Sequence, residues 1–262
     1  MKKLLTLIIS FALFIPIVLF AAELNGTSLI SSPNLKAYYR LTDFNDNSGN
    51  AVNLTNNGGV TTTTGKYGFA ADFGASNTTK SLTATNNLGI GGTSSTLVGW
   101  VNITTQPATN ALYSVISQGD ATTNDGFILY YRDISGVKNL TADRLRGGIA
   151  DDLVNYATTL NTGTWYHVAQ TYNSTNSLLS LYLNGSLVAT TTSSGNGNAG
   201  VTSGIGLGIN IAQAAGPART SGLVDDMAFF NRELSANEIS TLYTDVVAPT
   251  STNPIQVIWI DY

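Results

Sequence analysis

The chain has 262 residues, of which 43% are hydrophobic and only 11% charged, with a net charge of −4. No basic stripe is present that would neutralise phosphates, so we expect no nucleic-acid partner. Zero cysteines and a single histidine argue against disulfides, thiol redox chemistry and the usual zinc sites.

Residues 1–22 predict an export signal. Lys2 and Lys3 precede an apolar run from Leu4 to Ala22, as in signal peptides. The run exceeds the usual apolar region of about 7–15 residues and approaches the ~20 that cross a bilayer, so it is either cleaved or kept as an anchor. We expect a secreted or cell-surface protein that contacts membrane only through this segment, with a linker at 23–35.

Residues 36–245 predict one β-sandwich domain. Short apolar runs alternate with clusters of Gly, Asn and Asp, which is typical of antiparallel sheets. Trp100 and Trp165 lie in such runs and are expected to be core residues. The clearest hairpin turns at Asn184 and Gly185, because this pair supplies the two positive φ angles of a tight turn.

The loop DFNDNSGN at 43–50 is a candidate calcium site. Asp43, Asp46 and Asn50 place oxygen atoms at close spacing, and oxygen is the ligand that calcium prefers. The alternative is a turn held by hydrogen bonds from Asp and Asn side chains to the backbone.

Residues 222–230 predict a strand that buries an acid. Asp225 and Asp226 fall on opposite faces of this strand, so one of them enters an apolar layer and needs a cation or several hydrogen bonds. A metal ion, Arg40 or Arg219 could supply the positive charge.

A short helix follows this strand. Ser235 and Glu238 have the spacing of a capping box, and Ile239, Leu242 and Tyr243 form one apolar stripe. The helix is expected to end near Asp245. Residues 246–262 form a tail whose apolar part, from Ile255 to Ile260, either folds back as an edge strand or pairs with another molecule.

Several segments resemble the laminin-G-like domains of the concanavalin A-like superfamily in consistent order: FNDNSGN at 44–50, GKYGFAADF at 65–73, LVGWVN at 97–102, GTWYHVAQTYN at 163–173, LLSLYLNGSLVA at 178–189 and GLVDDMAFFNRELSANEI at 222–239. The resemblance implies a two-sheet antiparallel jelly roll with one short C-terminal helix. It further implies that the loop 43–50 faces the acidic strand, so that Asp225 or Asp226 completes a calcium shell, and that His167 is a packing residue.

The residues predict no enzyme. A serine nucleophile would need a nearby histidine, and the resemblance makes His167 structural. The only glutamates are Glu23, Glu233 and Glu238, which border the leader or belong to the final turn and cap, so they cannot form the facing carboxylates of a glycosidase.

We therefore expect a non-catalytic binding module that recognises glycans or an extracellular protein, with calcium as a candidate cofactor. Aromatic faces and Arg side chains suit sugars, which makes these residues candidates for ligand contact: Tyr130, Tyr131, Arg132, Arg146 and Tyr156. The alternative is a structural subunit of a surface layer or fibre that self-associates through its C-terminal tail.

Overall fold

The structure is a computed structural model that describes residues 24–85, 88, 93–120, 122, 124–147, 149–193, 204–211 and 219–244. These residues form two antiparallel sheets, here sheet A and sheet B, and one α-helix. The predicted all-β jelly-roll sandwich with one short C-terminal helix is confirmed.

Sheet A has eight strands. They are β1 (Leu35–Tyr39), β3 (Thr61–Thr64), β4 (Phe69–Asp72), β6 (Ser95–Ile103), β11 (Trp165–Asn173), β12 (Leu178–Leu183), β13 (Ser186–Thr192) and β15 (Gly222–Phe230). Their order is β13, β12, β11, β6, β15, β4, β3, and β1 also pairs with β15.

Sheet B has seven strands. They are β2 (Thr55–Asn57), β5 (Ser81–Thr85), β7 (Leu112–Asp120), β8 (Asp125–Ile134), β9 (Val137–Arg146), β10 (Ile149–Ala157) and β14 (Gly204–Leu207). Their order is β10, β9, β8, β7, β14, β5, β2. Neighbours in this order that are distant in sequence give the crossed connections expected of a jelly roll.

The main core fills the space between the sheets. Alternate side chains of each strand enter it, among them Val101, Phe127, Leu181 and Phe229, all fully buried. Trp100 is buried on the other side of sheet A.

A second apolar layer covers the outer face of sheet A. The helix α1 (Ala236–Thr244) contributes Ile239 and Leu242, and short 3-10 turns at Leu24–Gly26 and Ser28–Ser31 contribute Leu24 and Leu29. The described part of segment 23–35, expected to be a linker, is thus packed against the sheet. As a result β15 is covered on both faces, with Phe229 in the main core and Phe230 in this second layer.

Local sequence signals explain the ends of α1 and of the β12–β13 hairpin. The Ser235 Oγ accepts the Glu238 amide at 3.3 Å, and a Glu238 carboxylate oxygen accepts the Ser235 amide at 2.8 Å, which is the predicted capping box. Asn184 and Gly185 have φ angles of +49° and +76°, as predicted for the hairpin turn.

Residues 1–22 and 246–262 lie outside the described residues, so the leader and the tail stay predictions. Within the described part of the chain, no helix has the length and apolar character needed to cross a membrane.

Candidate ligand-binding site

The outer face of sheet B presents a band of polar side chains across β7, β8, β9 and β10. Tyr131 enters the core, so its neighbour Tyr130 lies on the outer face. Tyr130 pairs across the sheet with Ser114 of β7 and with Thr141 of β9, and Thr141 pairs with Asn155 of β10. Their side chains form one row, because directly opposite residues share a face.

Hydrogen bonds connect this row to its neighbours. The Tyr130 hydroxyl donates to Asp143 Oδ2 at 3.1 Å. The Arg132 guanidinium lies 5.3 Å from the Tyr130 ring centroid, and Arg132 Nη2 donates to Asn155 Oδ1 at 2.8 Å. The Thr141 hydroxyl donates to the same oxygen at 2.8 Å. We call this group the polar patch; it comprises Ser114, Tyr130, Arg132, Thr141, Asp143, Asp151 and Asn155.

Three buried polar atoms of the polar patch have no hydrogen-bond partner among the described residues: Ser114 Oγ, Arg132 Nε and Asp143 Oδ1. Buried polar groups in folded proteins are almost always paired with protein atoms or water. These three atoms combine a hydroxyl, a donor and an acceptor. Such a mixture matches a ligand rich in hydroxyl groups.

The polar patch meets solvent along the edge strand β10, whereas its members on β7 and β9 are buried. Asp151, Leu153 and Asn155 are exposed, whereas Tyr130 and Asp143 are buried. A ligand would therefore rest on β10 and Arg132 and reach inward towards Asp143.

Asp143 is the electrostatically unusual member of the polar patch. Burial, and next the Asp151 carboxylate, raise the pKa of Asp143 to about 7, while the Tyr130 hydroxyl and the Arg132 charge oppose this rise. Burial also raises the pKa of Tyr130, so its phenol remains a hydrogen-bond donor. Asp143 is therefore poised to gain or lose a proton near neutral pH.

Of the five predicted ligand-contact residues, the structure brings together Tyr130 and Arg132. The expectation of an exposed Tyr131 is wrong, because this side chain points into the core and its hydroxyl donates to Gln106 Oε1 at 2.8 Å. Tyr156 packs against the same core. Adjacent residues of a strand face opposite ways, so Tyr130 and Tyr131 cannot share a surface.

Arg146 makes its ion pair outside the polar patch, although its charge reaches Asp151 and opposes the rise in the pKa of that acid. Arg146 is buried, and its Nε atom is 3.1 Å from Asp152 Oδ2, an oxygen that also lies 3.4 Å from Arg144 Nη1. The Arg144 guanidinium stacks 4.3 Å from the Tyr172 ring centroid. These contacts join β9, β10 and β11 inside the sandwich, which is a structural arrangement.

In the candidate calcium loop, Asp46 is occupied by protein donors. Its Oδ1 accepts the amides of Tyr38 at 3.0 Å and Ser48 at 2.8 Å, and its Oδ2 accepts the Val52 amide at 3.1 Å. Donor groups that surround a carboxylate in this way take the place that a cation would need.

The other two polar residues of this loop make turn contacts. Asp43 accepts the Asn45 amide at 2.9 Å, and the Asn50 Nδ2 group donates to the Leu35 carbonyl at 2.9 Å. The alternative left open by the sequence, a turn stabilised by side chain to backbone bonds, describes these contacts.

Both acids of β15 are buried, although the sequence predicted one. The pairing of β15 with β6 is irregular between Asp225 and Ala228, and Asp226 has a φ of +51°. Asp226 accepts the Tyr38 hydroxyl and, at 3.1 Å, the Leu24 amide. Of the two predicted arginines, Arg219 donates to the Lys80 carbonyl at 3.1 Å.

Asp225 lies on the opposite side beneath the loop 65–68. Its Oδ2 accepts the Tyr67 amide at 2.8 Å, and its Oδ1 has no partner among the described residues. Burial raises the pKa of Asp225 to about 8, so this carboxyl is mostly neutral at physiological pH.

These contacts do not fit a shared calcium shell of Asp43, Asp46, Asn50, Asp225 and Asp226. Among the residues that the structure describes, no three His, Cys, Asp or Glu side chains are grouped as a metal would require. Calcium binding stays a prediction that a titration must test.

His167 has the packing role that the resemblance implied. It is buried, its ring lies 5.2 Å from that of Trp100, and burial lowers its pKa to about 3. An uncharged, enclosed imidazole cannot act as a general base on a substrate in solvent.

The sequence reasoning missed Ser114, Thr141, Asp143 and Asn155. The alternation of Asn139, Thr141 and Asp143 along β9 was a usable signal, since polar residues with period two indicate an outward face. Their meeting with Tyr130 depends on strand register, which a single sequence does not give.

Comparison with known proteins identifies a protein family that this chain matches. The model of the concanavalin A-like lectin/glucanases superfamily matches residues 73–240. No match to a curated protein was found.

Solved structures show the same fold at low sequence identity. Domain 4 of AbnA, a GH43 extracellular arabinanase from Geobacillus stearothermophilus in complex with arabinotriose, is 18% identical with a TM-score of 0.61, over 80% of this chain and 98% of that one. The binding domain of Paraclostridial Mosquitocidal Protein 1 is 18% identical with a TM-score of 0.62, over 80% of this chain and 52% of that one.

Botulinum neurotoxin type C, whose cell entry depends on interaction with two ganglioside molecules, is 16% identical with a TM-score of 0.63, over 83% of this chain and 52% of that one. The chain thus spans about half of each toxin structure. These likenesses show the fold.

Proposed function

Because the chain belongs to the concanavalin A-like lectin/glucanase superfamily, we propose that it is a non-catalytic, secreted or surface-held module that binds glycans through the polar patch of sheet B. The observation that carries this proposal is that one face of sheet B holds three buried polar atoms without a partner among the described residues, Ser114 Oγ, Arg132 Nε and Asp143 Oδ1.

The chemistry of the polar patch supports a sugar ligand. Sugar hydroxyls both donate and accept hydrogen bonds, and the polar patch offers acceptors, donors and a hydroxyl within adjacent rows of one sheet. The exposed Leu153 side chain on the same face provides apolar surface for a sugar ring.

The similar structures support the same class of ligand. A domain bound to arabinotriose and a toxin that interacts with gangliosides share this fold. The proposal that this chain binds glycans rests on these structural similarities together with the polar patch.

A glycan array with the full chain tests the proposal. We expect binding to at least one oligosaccharide, and a loss of at least tenfold in affinity in Arg132→Ala and in Asn155→Ala. Thr62→Ala, at an exposed position of β3 in sheet A, is the control and should bind normally. The absence of binding to any host glycan or polysaccharide on the array would refute the proposal.

A further inference from the structure

The charges of the polar patch restrict the glycan it can accept. Arg132 is its only cation among the described residues, and Arg132 Nη2 already donates to Asn155. The Asp151 carboxylate is close enough to raise the pKa of Asp143, and the Arg146 charge in turn opposes the rise in the pKa of Asp151. A carboxylate or sulfate on the ligand would meet two acids and one partly occupied guanidinium, which disfavours anionic sugars.

The position of the proton on Asp143 matters for the ligand. Oδ2 accepts the Tyr130 hydroxyl at 3.1 Å, so a proton on Asp143 belongs on Oδ1, the oxygen without a partner among the described residues. Loss of this proton converts Oδ1 from a donor to an acceptor. Hydrogen bonds to an ionised carboxylate are about twice as strong as neutral ones.

The surroundings of Asp143 keep this proton exchangeable near neutral pH. The charged and titratable groups that act on it are Tyr130 and Arg132 of β8, Asp151 of β10 and, from the other face of β10, Asp152, which is itself paired with Arg144 and Arg146. From sheet A, the uncharged Gln170 donates to the backbone carbonyl of Asp143 at 2.9 Å. No described group supplies a full ion pair to the carboxylate.

We propose that the polar patch selects uncharged glycans and that binding requires ionised Asp143, whose Oδ1 accepts a hydroxyl of the ligand. This inference rests on the proposed glycan-binding function and adds the charge class of the ligand and its dependence on pH.

The first experiment compares charge classes. The full chain is tested by calorimetry at pH 8 against arabinotriose, lactose and sialyllactose, together with the strongest neutral oligosaccharide from the array. We expect the neutral ligand to bind and sialyllactose to bind at least tenfold more weakly. Equal or tighter binding of sialyllactose overturns the selectivity but leaves glycan binding intact, whereas silence with every ligand overturns both proposals.

The second experiment varies pH with the neutral ligand that binds. If only the ionised form binds and its pKa is about 7, affinity at pH 5.5 should be roughly 30-fold weaker than at pH 8.5, following the ionised fraction. Asp151→Asn, on the exposed edge, should move the midpoint of this profile to lower pH, because it removes a neighbouring negative charge.

Two further variants complete the test. Asp143→Asn should bind weakly at every pH, with folding checked by circular dichroism. Asp43→Asn, an exposed acid in the loop 43–50, should reproduce the wild-type profile. A flat wild-type profile, or one unmoved by Asp151→Asn, would overturn the requirement for ionised Asp143.

Discussion

Individual buried acids give this domain a pH-dependent stability. Burial raises the pKa of Asp225 to about 8, whereas an aspartate in the unfolded chain titrates near about 3.9. The folded state therefore holds a proton that the unfolded state loses. The stability that this proton contributes is complete below pH ~4 and is lost as pH rises through 8.

Asp225→Asn should remove this dependence. Relative to the wild type, the variant should gain about 4 kcal/mol of unfolding free energy as pH rises from 5 to 8.5, because an amide cannot ionise. Urea unfolding at the two pH values measures the difference, with Asp43→Asn as the exposed control. An unchanged slope against pH would show that Asp225 is ionised in the folded protein.

The sequence correctly predicted the position of some candidate-site or buried residues and missed others, for physical reasons. The alternation of β15 correctly indicated a buried acid, but the irregular pairing near Asp225 buries Asp226 as well. Tyr130 and Arg132 were identified by residue type alone, without the alternation that separates them from Tyr131. Asp143 needed the cross-strand register, which depends on tertiary structure.

At the scale of elements, the β12–β13 turn depends on its contact with α1. A Cβ atom on Gly185 would lie 2.9 Å from the Cβ of Tyr243, and Gly185 has a φ of +76°. Gly163 has a nearly identical φ of +75° but open space around it. Gly185→Ala should therefore cost more stability than Gly163→Ala, by about 1–3 kcal/mol for overpacking. Equal midpoints in thermal unfolding would contradict this contact.

The capping box should be measurable in α1. Ser235→Ala removes the acceptor of the Glu238 amide and is expected to cost about 1 kcal/mol. Arg232, which donates to Glu238 Oε1 at 2.6 Å, would keep the glutamate in place. Denaturant unfolding should show a lower midpoint with an unchanged slope; no loss would mean that the cap contributes nothing. Both this cap and the Asn-Gly turn were readable from sequence because their signals are local.

For the whole molecule, the effect of calcium on thermal stability distinguishes the calcium site predicted from the sequence from the protein hydrogen bonds seen in the structure. A calcium site filled at a hundred times its dissociation constant would add about 2.7 kcal/mol, or about 5–10 °C of melting temperature for a domain of this size. Because Asp46 and Asp226 already accept protein donors, we expect no shift between calcium and chelator. A melting temperature several degrees higher with calcium than with chelator would support the predicted calcium site.

The fold as a whole was predictable because many segments that each resemble the family only weakly occur in a fixed order, and each fits one strand or turn. The packing of 24–31 onto sheet A was not, since those residues give no periodic signal. The proposed function depends on one face of sheet B.

NMR chemical-shift mapping with the strongest neutral oligosaccharide from the array tests this location most directly. We predict that the largest shifts fall on β8, β9 and β10, around Arg132, Asp143 and Asn155. Shifts confined to α1 and the outer face of sheet A would contradict the account.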